Sequence, residues 1–517
     1  MARTLTPSPP VRVAERVSTR VMRWTLADTI GLTAVTLVAG GLRVFRATTP
    51  SRLVFDEGYY AIEACEYVFG YGPPCHADAG LPVTGVHPPL GTWLIAAGIR
   101  IFGFRSGGWR AASLVAGTLT VVLVFLLARR LLRSTLAATV ASGALAFDAL
   151  HFVHSRIAML DVFVAFFVVG AVLAAVYDRD RPAEGQPHLG RPRGRLRDRL
   201  RERRWRLVAG AAVGAAVACK WSGVPYLLVV PVFVLASELH RRSKTIRLGL
   251  RTVIREEGPS LAVAFGLIPA IVYVGSYVGR IDGAILAWPW SQGSWVGAFL
   301  AHQRAMLAFH LGLDFAHPYA SAPWSWPLMK RPPIYWLEVH GGRYEEIIAI
   351  GNPLIWWGGL VALAHVGYRW LRRHRDDGEA IILLGFAAGW LPWLLIGPTR
   401  STVFSFYLLV CVPFLCLGLG YVARGISRTA VGRAGVAAFA AATIALFAFF
   451  YPVLAAVPVS ESAWRARILF QDCDLEGVRL SDLDLSLPPG VETPVDTPGP
   501  YPEAQFRPTA PPGWCWI

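Results

Sequence analysis

Two adjacent carboxylates, Asp56 and Glu57, are the first candidates for catalysis in this 517-residue chain. They occur in the segment VFDEGYYAIEACEYV at 54–68, shortly after the first apolar run. A carboxylate acts as a general base when it lies within hydrogen-bond reach of the hydroxyl that it deprotonates. The structural alternative is that both acids only stabilise the positive end of a helix. Because successive helical residues point about 100° apart, we expect the two carboxylates to have different roles.

Three basic residues near the ends of later apolar runs indicate an anion site. Arg110 opens the second run, and Lys220 occurs in ACKWSGVPY. Arg156 and Asp161 occur together in FDALHFVHSRIAMLDVF. Arginine binds phosphate through two parallel hydrogen bonds and lysine binds it as a point charge, so we predict a site for a lipid phosphate, with Asp161 orienting Arg156. The alternative is that each cation only snorkels to the membrane interface.

Histidines provide further candidates in two segments. His87 begins the motif HPPLG, in which the prolines favour the first turn of a helix. This start fixes His87 near the same surface as Asp56, so we assign it to substrate binding. His302, His310 and His317 could coordinate a metal, but their spacing matches no zinc-binding pattern, and we predict no metal site.

Aromatic residues are concentrated in the segment AHPYASAPWSWPLMKRPPIYW at 316–336. Trp and Tyr at membrane depth usually anchor a protein at the interface. Stacking on a sugar or a peptide is the functional alternative. On that alternative, the candidates for acceptor or sugar contacts are His310, His317, Tyr319, Trp324 and Trp326.

The composition is that of a polytopic membrane protein. Hydrophobic residues make up 54% of the chain and charged residues 16%, and the mean hydropathy is +0.45. A soluble protein carries about 25% charged residues. The net charge of +16 would suit nucleic-acid binding, but the basic residues cluster between apolar runs, as the positive-inside rule requires. We therefore expect no nucleic-acid partner.

Eleven apolar runs predict an all-α membrane domain over 27–457, because a bilayer is crossed by about 20 apolar residues. The predicted spans are 27–46, 109–128, 136–154, 159–177, 207–219, 222–238, 259–278, 350–370, 379–397, 402–423 and 433–457. A basic N-terminal tail, 1–26, precedes them on the cytoplasmic side.

The stretch 87–104 is nearly long enough to span the membrane, but we assign it to an interfacial helix. If it crossed, the basic loops that follow would face outward, including 178–206 with its eleven Arg and five acidic residues. An interfacial helix keeps these loops in the cytoplasm. The first loop (47–108), the second loop (279–349) and the C-terminal tail (458–517) then lie outside the cytoplasm.

Seven cysteines agree with this orientation. Those in predicted spans are Cys219, Cys411 and Cys416. The other four lie in the segments predicted to face outward, where disulfides form. We predict the pairs Cys65–Cys75 and Cys473–Cys515; the alternative is four free thiols.

Six motifs in sequence order resemble those of the protein O-mannosyltransferases, specifically the bacterial form found in actinobacteria. They are the Asp-Glu pair after the first span, HPPLG, the Arg that opens the second span, FD…SR…LD, KWSG and HPY-S-PWSWPL, and they cover 50–410. Each motif is weak alone, but the ordered set is specific.

The resemblance implies the membrane glycosyltransferase fold called GT-C, in glycosyltransferase family 39, with eleven spans, the N-terminus inside and the C-terminus outside. It implies transfer of mannose from polyprenyl-phosphate mannose to Ser or Thr of secreted proteins, with inversion. Asp56 would be the general base, and Glu57 would help to engage the acceptor peptide. Arg110, Arg156 and Lys220 would contact the donor phosphate or organise the site.

Two other functions are alternatives. Another polyprenyl-phosphate-sugar glycosyltransferase would use a lipid or glycan acceptor. A transporter would carry polar residues at mid-membrane depth, whereas these spans are mainly Ala, Val, Leu and Phe.

The expected partners follow from the resemblance. They are the lipid-linked donor, secreted acceptor proteins during Sec translocation, and membrane lipid. The sequence assigns no certain cofactor beyond the lipid-linked donor, polyprenyl-phosphate mannose, and dependence on a divalent metal is left open. The expected location is the plasma membrane, with several spans and an extracytoplasmic active site.

Overall fold

The structure is a computed structural model, and it is mainly helical. It describes residues 23–70, 72–75, 85–181, 196–246, 250–277, 295–313, 319–372, 376–397, 400, 402–470 and 516. Most of the predicted tail 1–26 lies outside the described residues, as do His317, Cys473 and Cys515.

The helices include both long candidate spans and short connecting segments. They are α1 (Leu26–Val44), α2 (Glu57–Phe69), α3 (Leu90–Phe102), α4 (Ser106–Leu132), α5 (Thr135–Ala146), α6 (Ala149–His154), α7 (Asp161–Arg179), α8 (Leu196–Glu202), α9 (Arg204–Cys219), α10 (Tyr226–Ile246), α11 (Leu250–Ala262), α12 (Ile268–Gly275), α13 (Trp295–Leu311), α14 (Pro353–Arg372), α15 (Asp377–Ile396), α16 (Val412–Ile426), α17 (Ala430–Leu454) and α18 (Glu461–Arg465). A π-helical turn, Val263–Leu267, joins α11 to α12.

Eight segments of the described residues are long and apolar enough to cross a membrane, which confirms a multi-pass membrane protein. They are Leu26–Val44, Ser106–Leu132, Asp161–Arg179, Trp221–His240, Leu250–Gly275, Asp377–Ile396, Ser405–Ile426 and Ala430–Leu454. At two further predicted spans, 207–219 and 350–370, the structure has α9 with 16 residues and α14 with 20. Neither belongs to these eight segments. The count of eleven and the orientation stay predictions.

The predicted span at 136–154 is interrupted in the structure. α5 ends at Ala146 and α6 begins at Ala149, with Asp148 between them as the N-cap of α6. The Asp148 carboxylate accepts hydrogen bonds from the backbone N–H of His151 at 2.9 Å and from Nε1 of Trp356 at 2.8 Å. A capping carboxylate satisfies the free donors of a new helix start, and the partner Trp356 is too distant in sequence to be foreseen.

The centre of the bundle is formed by α7 and α16, whose residues are mostly enclosed by other helices. α7 packs against α4 and α9, and α16 packs against α5 and α14. In contrast, α1 and α17 lie at the periphery and expose apolar side chains such as Leu37 and Val431. This distribution suits a bundle that is surrounded by lipid.

Two short helices of the first loop fix the position of Asp56. α2 packs on α3, and α3 packs on α4. Gly98 of α3 lies so close to Gly108 that an added Cβ would be 2.3 Å from the carbonyl oxygen. With 13 residues, α3 is shorter than the roughly 20 that a span requires, in agreement with an interfacial helix at 87–104.

A small three-stranded antiparallel sheet accompanies the helices, and the prediction of an all-α domain did not include it. β1 (Ile334–His340) and β2 (Arg343–Ile348) form a hairpin in the second loop, and β3 (Val459–Ser460) pairs with β2. Gly341 and Gly342 connect the hairpin with φ of 56° and 70°, the left-handed values that two-residue hairpin turns favour.

The C-terminal tail starts with ordered contacts on this sheet. Trp464 of α18 donates a hydrogen bond to Glu346 at 2.7 Å and stacks on Tyr344 with ring centroids 4.5 Å apart. Near the end of the chain, Trp516 is buried and donates to the carbonyl oxygen of Met329 at 2.9 Å. The tail therefore packs against the second loop at two points.

Candidate active site

The start of α2 separates the two neighbouring carboxylates. Asp56 is the N-cap residue and Glu57 is the first helical residue. The Asp56 side chain makes no capping hydrogen bond, although Asp at this position commonly accepts one. Asp56 is partly exposed and Glu57 is fully buried. The two carboxylates therefore lie in different surroundings, and their different roles stay a prediction.

Glu57 is held by four donors inside the protein. Its carboxylate accepts hydrogen bonds from Nε and Nη2 of Arg110 at 2.8 and 2.7 Å. It also accepts from the backbone N–H of Val54 at 2.9 Å and of Ala158 at 2.8 Å. With these four partners the buried Glu57 carboxylate has a structural role, and a role in engaging the acceptor stays a prediction. Its contacts join the first loop to α4 and to the turn between α6 and α7.

Arg110 uses all five N–H groups of its guanidinium within the protein. Two bind Glu57, and the others donate to the carbonyl oxygens of Ala47 at 3.2 Å, Pro50 at 2.7 Å and Arg52 at 3.0 Å. The residue is 1% exposed. No donor group of Arg110 remains for an anion among the described contacts, which favours the second role that the resemblance implies, organisation of the site.

Asp56 lies in surroundings that compensate its charge poorly. Among the described residues, its Oδ2 accepts one long hydrogen bond, from the hydroxyl of Tyr60 at 3.4 Å. Burial raises the pKa of Asp56 to about 6; the positive charge of Lys220 opposes the rise and the negative charge of Asp161 adds to it. Such a carboxylate is ionised at neutral pH and basic enough to accept a proton from a reacting hydroxyl.

Lys220 and Asp161 form a buried ion pair beside Asp56. Nζ of Lys220 donates to Oδ1 and Oδ2 of Asp161 at 3.1 and 2.9 Å. The ammonium lies 5.0 Å from the ring centroid of Tyr407, within the range of a cation–π contact. Asp161 therefore orients Lys220 and not Arg156, which corrects the predicted pairing.

Arg156 does not join this group. Its Nη2 donates to the carbonyl oxygens of Phe45 at 3.1 Å and Arg46 at 2.6 Å. Its charged neighbours include Arg110, Arg46 and Arg43. The predicted three-cation site is therefore divided, with Arg110 and Arg156 turned away from Asp56.

Phe55, directly before the candidate base, adopts the left-handed conformation with φ of 51°, which is strained for a residue with a Cβ. Its ring stacks on Tyr335 of β1 at a centroid distance of 4.3 Å. The Tyr335 hydroxyl in turn bonds to Nε2 of His154 at 2.9 Å. The hairpin of the second loop thus holds the backbone that presents Asp56.

His87 and His310 form a second wall of the site. Their rings stack with centroids 5.1 Å apart, and Tyr60 lies 5.8 Å from His87. Nε2 of His310 bonds to the carbonyl oxygen of Val86 at 2.8 Å. Burial lowers the pKa of His87 well below its usual value, and the charge of Lys220 adds to this effect. His87 is therefore neutral, and its buried Nδ1, which has no partner among the described residues, can bind a substrate group.

The aromatic segment of the second loop has two kinds of residue. Trp326 is fully buried, donates to the carbonyl oxygen of Ser321 at 2.9 Å and lies 5.9 Å from the Tyr407 ring. In this position Trp326 supports Tyr407, and its contact with a sugar or acceptor stays a prediction. Tyr319 is partly buried against the core, whereas Trp324 is 60% exposed and remains accessible.

The predicted disulfide between Cys65 and Cys75 is present. It ties α2, which carries the candidate base at its start, to the turn that follows this helix. Cys219, Cys411 and Cys416 are free and buried, as expected.

Two family models match most of the chain. Residues 33–275 match dolichyl-phosphate-mannose-protein mannosyltransferase, and residues 295–473 match the C-terminal four-transmembrane region of protein O-mannosyltransferase. The chain belongs to the protein O-mannosyltransferase family. It is a membrane mannosyltransferase of this class, as the order of its motifs indicates.

Bacterial relatives resemble the chain over most of its length. The polyprenol-phosphate-mannose–protein mannosyltransferase of Mycobacterium tuberculosis is 33% identical, over 90% of this chain and 94% of the relative. The protein of the same name from Corynebacterium glutamicum is 29% identical, over 81% of this chain and 85% of the relative.

Solved structures show the fold. The protein O-mannosyltransferase Pmt1-Pmt2 complex of S. cerevisiae, bound to the sugar donor, matches with a TM-score of 0.68 at 15% identity, over 86% of this chain and 92% of the other. ArnT of Cupriavidus metallidurans bound to undecaprenyl phosphate matches with a TM-score of 0.50 at 16% identity, over 83% and 76%. The GT-C fold is therefore confirmed.

Four residues of the site were not predicted from the sequence. Tyr60 follows Asp56 by four positions, and the helical spacing that makes them neighbours was a usable signal. Tyr335 and Tyr407 come from distant segments, and no local pattern marks them. Arg400 adds positive charge near the histidine pair, and no local sequence pattern distinguishes it from the other Arg residues of the chain.

Proposed function

We propose that the chain transfers mannose from a polyprenyl-phosphate mannose donor to Ser or Thr hydroxyls of secreted proteins, with inversion at the anomeric carbon. The observation that carries this proposal is Asp56, a partly exposed carboxylate with one long hydrogen bond and a pKa raised to about 6. The bacterial relatives support it, because their names give the same donor and a protein acceptor.

In the proposed reaction, the Asp56 carboxylate accepts the proton of the acceptor hydroxyl. The hydroxyl oxygen attacks the anomeric carbon while the bond between that carbon and the phosphate oxygen breaks, and the electron pair leaves with the polyprenyl phosphate. A single displacement inverts the configuration, so one base suffices. The leaving phosphate is stable as an anion and needs no general acid. Asp56 then releases its proton to water.

Lys220 and Arg400 are the proposed cations for the donor phosphate. The two hydrogen bonds of Lys220 to Asp161 leave one of its three N–H groups for a phosphate oxygen. Arg400 forms no ion pair with the described residues, and its buried Nε has no hydrogen-bond partner there. The neutral His87 ring suits a sugar hydroxyl, because it can donate or accept a hydrogen bond without opposing the cations.

The proposed acceptor surface is more exposed to solvent than the buried Lys220. Trp324 presents an exposed ring, and its flat apolar face suits stacking on a peptide or a sugar.

We place the site on the extracytoplasmic face of the plasma membrane, in accord with the basic loops at the other end of the spans. Secreted proteins would then meet the enzyme during Sec translocation, within a shell of membrane lipid.

The test is transfer of labelled mannose from polyprenyl-phosphate mannose to a Ser/Thr-rich peptide by membranes that contain the full chain. We expect label in the peptide with the wild type and none above background with Asp56→Ala at equal protein level. Label that accumulates only in lipid or glycan would contradict the proposal and favour the other polyprenyl-phosphate-sugar transferases.

A further inference from the structure

Two guanidiniums meet at the joint between α1 and α17, at the end of the bundle that carries Asp56. Arg46 follows α1, and its Nη2 donates to the carbonyl oxygen of Ala456, just after α17, at 3.0 Å. Arg156 follows α6, and its Nη2 donates to the carbonyl oxygens of Phe45 and Arg46. These contacts fix the two cations side by side without neutralising either.

The positive charge at this joint exceeds the available negative charge. Neither Arg46 nor Arg156 has a carboxylate within 4.0 Å among the described residues, in contrast to Arg110, which binds Glu57 at 2.7 Å. Glu57 is already saturated by four donors. The positive charges of Arg110, Arg46 and Arg43 all act on Arg156, and like charges repel each other more strongly where water is scarce.

Three buried donor atoms at the joint also have no hydrogen-bond partner among the described residues. They are Nε of Arg46, Nε of Arg156 and the hydroxyl of Tyr451. Tyr451 belongs with the two arginines, because its ring lies 5.9 Å from Phe152 and the Arg156 guanidinium lies 4.8 Å over the same Phe152 ring. Buried donors are almost always satisfied, so an acceptor with several oxygens is expected between them.

The surroundings indicate where this acceptor comes from. Val44 and Phe45 at the end of α1 are 65% and 62% exposed, and Phe449 of α17 is 37% exposed. Such apolar side chains beside paired guanidiniums fit the boundary between acyl chains and headgroups. A phosphate offers oxygens to two guanidinium forks and a hydroxyl at once, which a chloride or a single carboxylate cannot do as fully.

We propose that Arg46, Arg156 and Tyr451 form a second anion-binding site, which holds the phosphate group of an anionic lipid between the ends of α1 and α17. Asp56 is not part of this site, because its hydrogen bond is to Tyr60 and its charged neighbours are Lys220 and Asp161. The bound phosphate would join the first and last long apolar helices and stabilise the turn from which Ala158 contacts Glu57. This site is independent of the proposed transfer reaction.

The test is thermal unfolding of the purified full chain in detergent, with added phosphatidylglycerol, phosphatidylcholine or inorganic phosphate. We expect phosphatidylglycerol to raise the Tm by about 2 °C or more, because a ligand that binds only the folded state stabilises it, and phosphatidylcholine to have little effect. An equal rise with millimolar inorganic phosphate would support the site and assign it to free phosphate.

Two variants decide between this site and general surface charge. Tyr451→Phe removes only a hydroxyl that has no described partner, so the fold is retained, and Arg46→Gln removes one guanidinium. We expect each to raise the apparent Kd for phosphatidylglycerol about tenfold, the loss of one strong hydrogen bond. The control is Arg465→Gln, whose arginine pairs with Glu461 at 2.8 Å on the surface. Unchanged affinity in both test variants, or an equal loss in the control, would overturn the proposal.

Discussion

Asp56 and Glu57 are neighbours in sequence, yet their side chains lie in two regions with opposite properties. Glu57 enters a dry region in which four donors satisfy its carboxylate and five acceptors satisfy its partner Arg110. Asp56 faces a partly open region with one long hydrogen bond and an incomplete balance of charge. The pair is therefore a structural carboxylate beside a reactive one.

The difference shows how one helix start serves two purposes. The saturated Glu57–Arg110 pair fixes the first loop on α4, and this rigidity allows the adjacent residue to remain underbonded. A carboxylate that lacks donors keeps its basicity, because each hydrogen bond to the charged form would lower its pKa. The position of Asp56 is thus maintained by its neighbour rather than by its own contacts.

The largest expected effect is that of Asp56→Asn on the transfer rate. Loss of a general base lowers rates by about 10²–10⁴-fold, and the amide keeps the shape of the side chain. We expect this loss with an unchanged or slightly higher Tm, because the substitution removes a carboxylate whose ionisation is disfavoured by burial. Initial rates with labelled donor, normalised to folded protein, measure it; activity within threefold of the wild type would exclude Asp56 as the base.

The second effect is a loss of stability in the region around Glu57 and Arg110. Glu57→Gln leaves the buried Arg110 guanidinium without its counter-charge, which typically destabilises a protein by about 3–5 kcal/mol. We expect a large fall in Tm for Glu57→Gln and for Arg110→Gln, measured in detergent.

The double variant provides the control for that interpretation. If the two residues act mainly through each other, Glu57→Gln combined with Arg110→Gln should be much less destabilised than the sum of the single variants. Strict additivity would show that the pair is not the source of the stability.

The third effect is the pH dependence of transfer. Asp56 must be deprotonated to accept a proton, so kcat/KM should fall about tenfold per pH unit below the pKa, which lies at about 6. The effect on stability has the opposite sign. The pKa of Asp56 in the folded state lies above the unfolded value of about 3.9, so the free energy of unfolding should fall as the pH rises from the unfolded pKa to the folded pKa. An acidic limb of the rate profile near pH 4 would show that burial of Asp56 is absent in the working enzyme.

The smallest effect is expected from Tyr335→Phe. This change removes the hydrogen bond to His154 but keeps the ring stacked on Phe55. We expect kcat to fall about fivefold, equivalent to one hydrogen bond of about 1 kcal/mol, with the KM for donor little changed. Tyr335→Ala should lower kcat much further at a similar KM. A purely structural role of Tyr335 would instead lower only the amount of folded enzyme.

Sequence reasoning recovers the local features of this site better than the distant ones. The different surroundings of Asp56 and Glu57 follow from helical geometry, and the Cys65–Cys75 pair agrees with the location of these cysteines in a segment predicted to face outward. The roles of Arg110 and Trp326 do not follow, because only the fold reveals that carbonyl oxygens and neighbouring rings enclose them. A motif shows which residues occur together, but not whether a side chain faces substrate or protein.

Prediction of the fold from the sequence is limited in the same way. Apolar runs identify the membrane helices, and charge asymmetry distinguishes α3 from a span. The break at Asp148 depends on Trp356, and the third strand depends on a tail that is distant from the hairpin. Both are long-range pairings that no local pattern encodes.

The central claim is tested most directly by comparing Asp56→Asn and Glu57→Gln in the same membrane preparation, with transfer rate per folded molecule and Tm measured for each. We predict that Asp56→Asn loses at least about 100-fold in rate at an unchanged Tm, while Glu57→Gln loses most of its stability and the surviving folded molecules transfer mannose within about tenfold of the wild type. The reverse pattern, with a stable and inactive Glu57→Gln and an active Asp56→Asn, would contradict the assignment of the base.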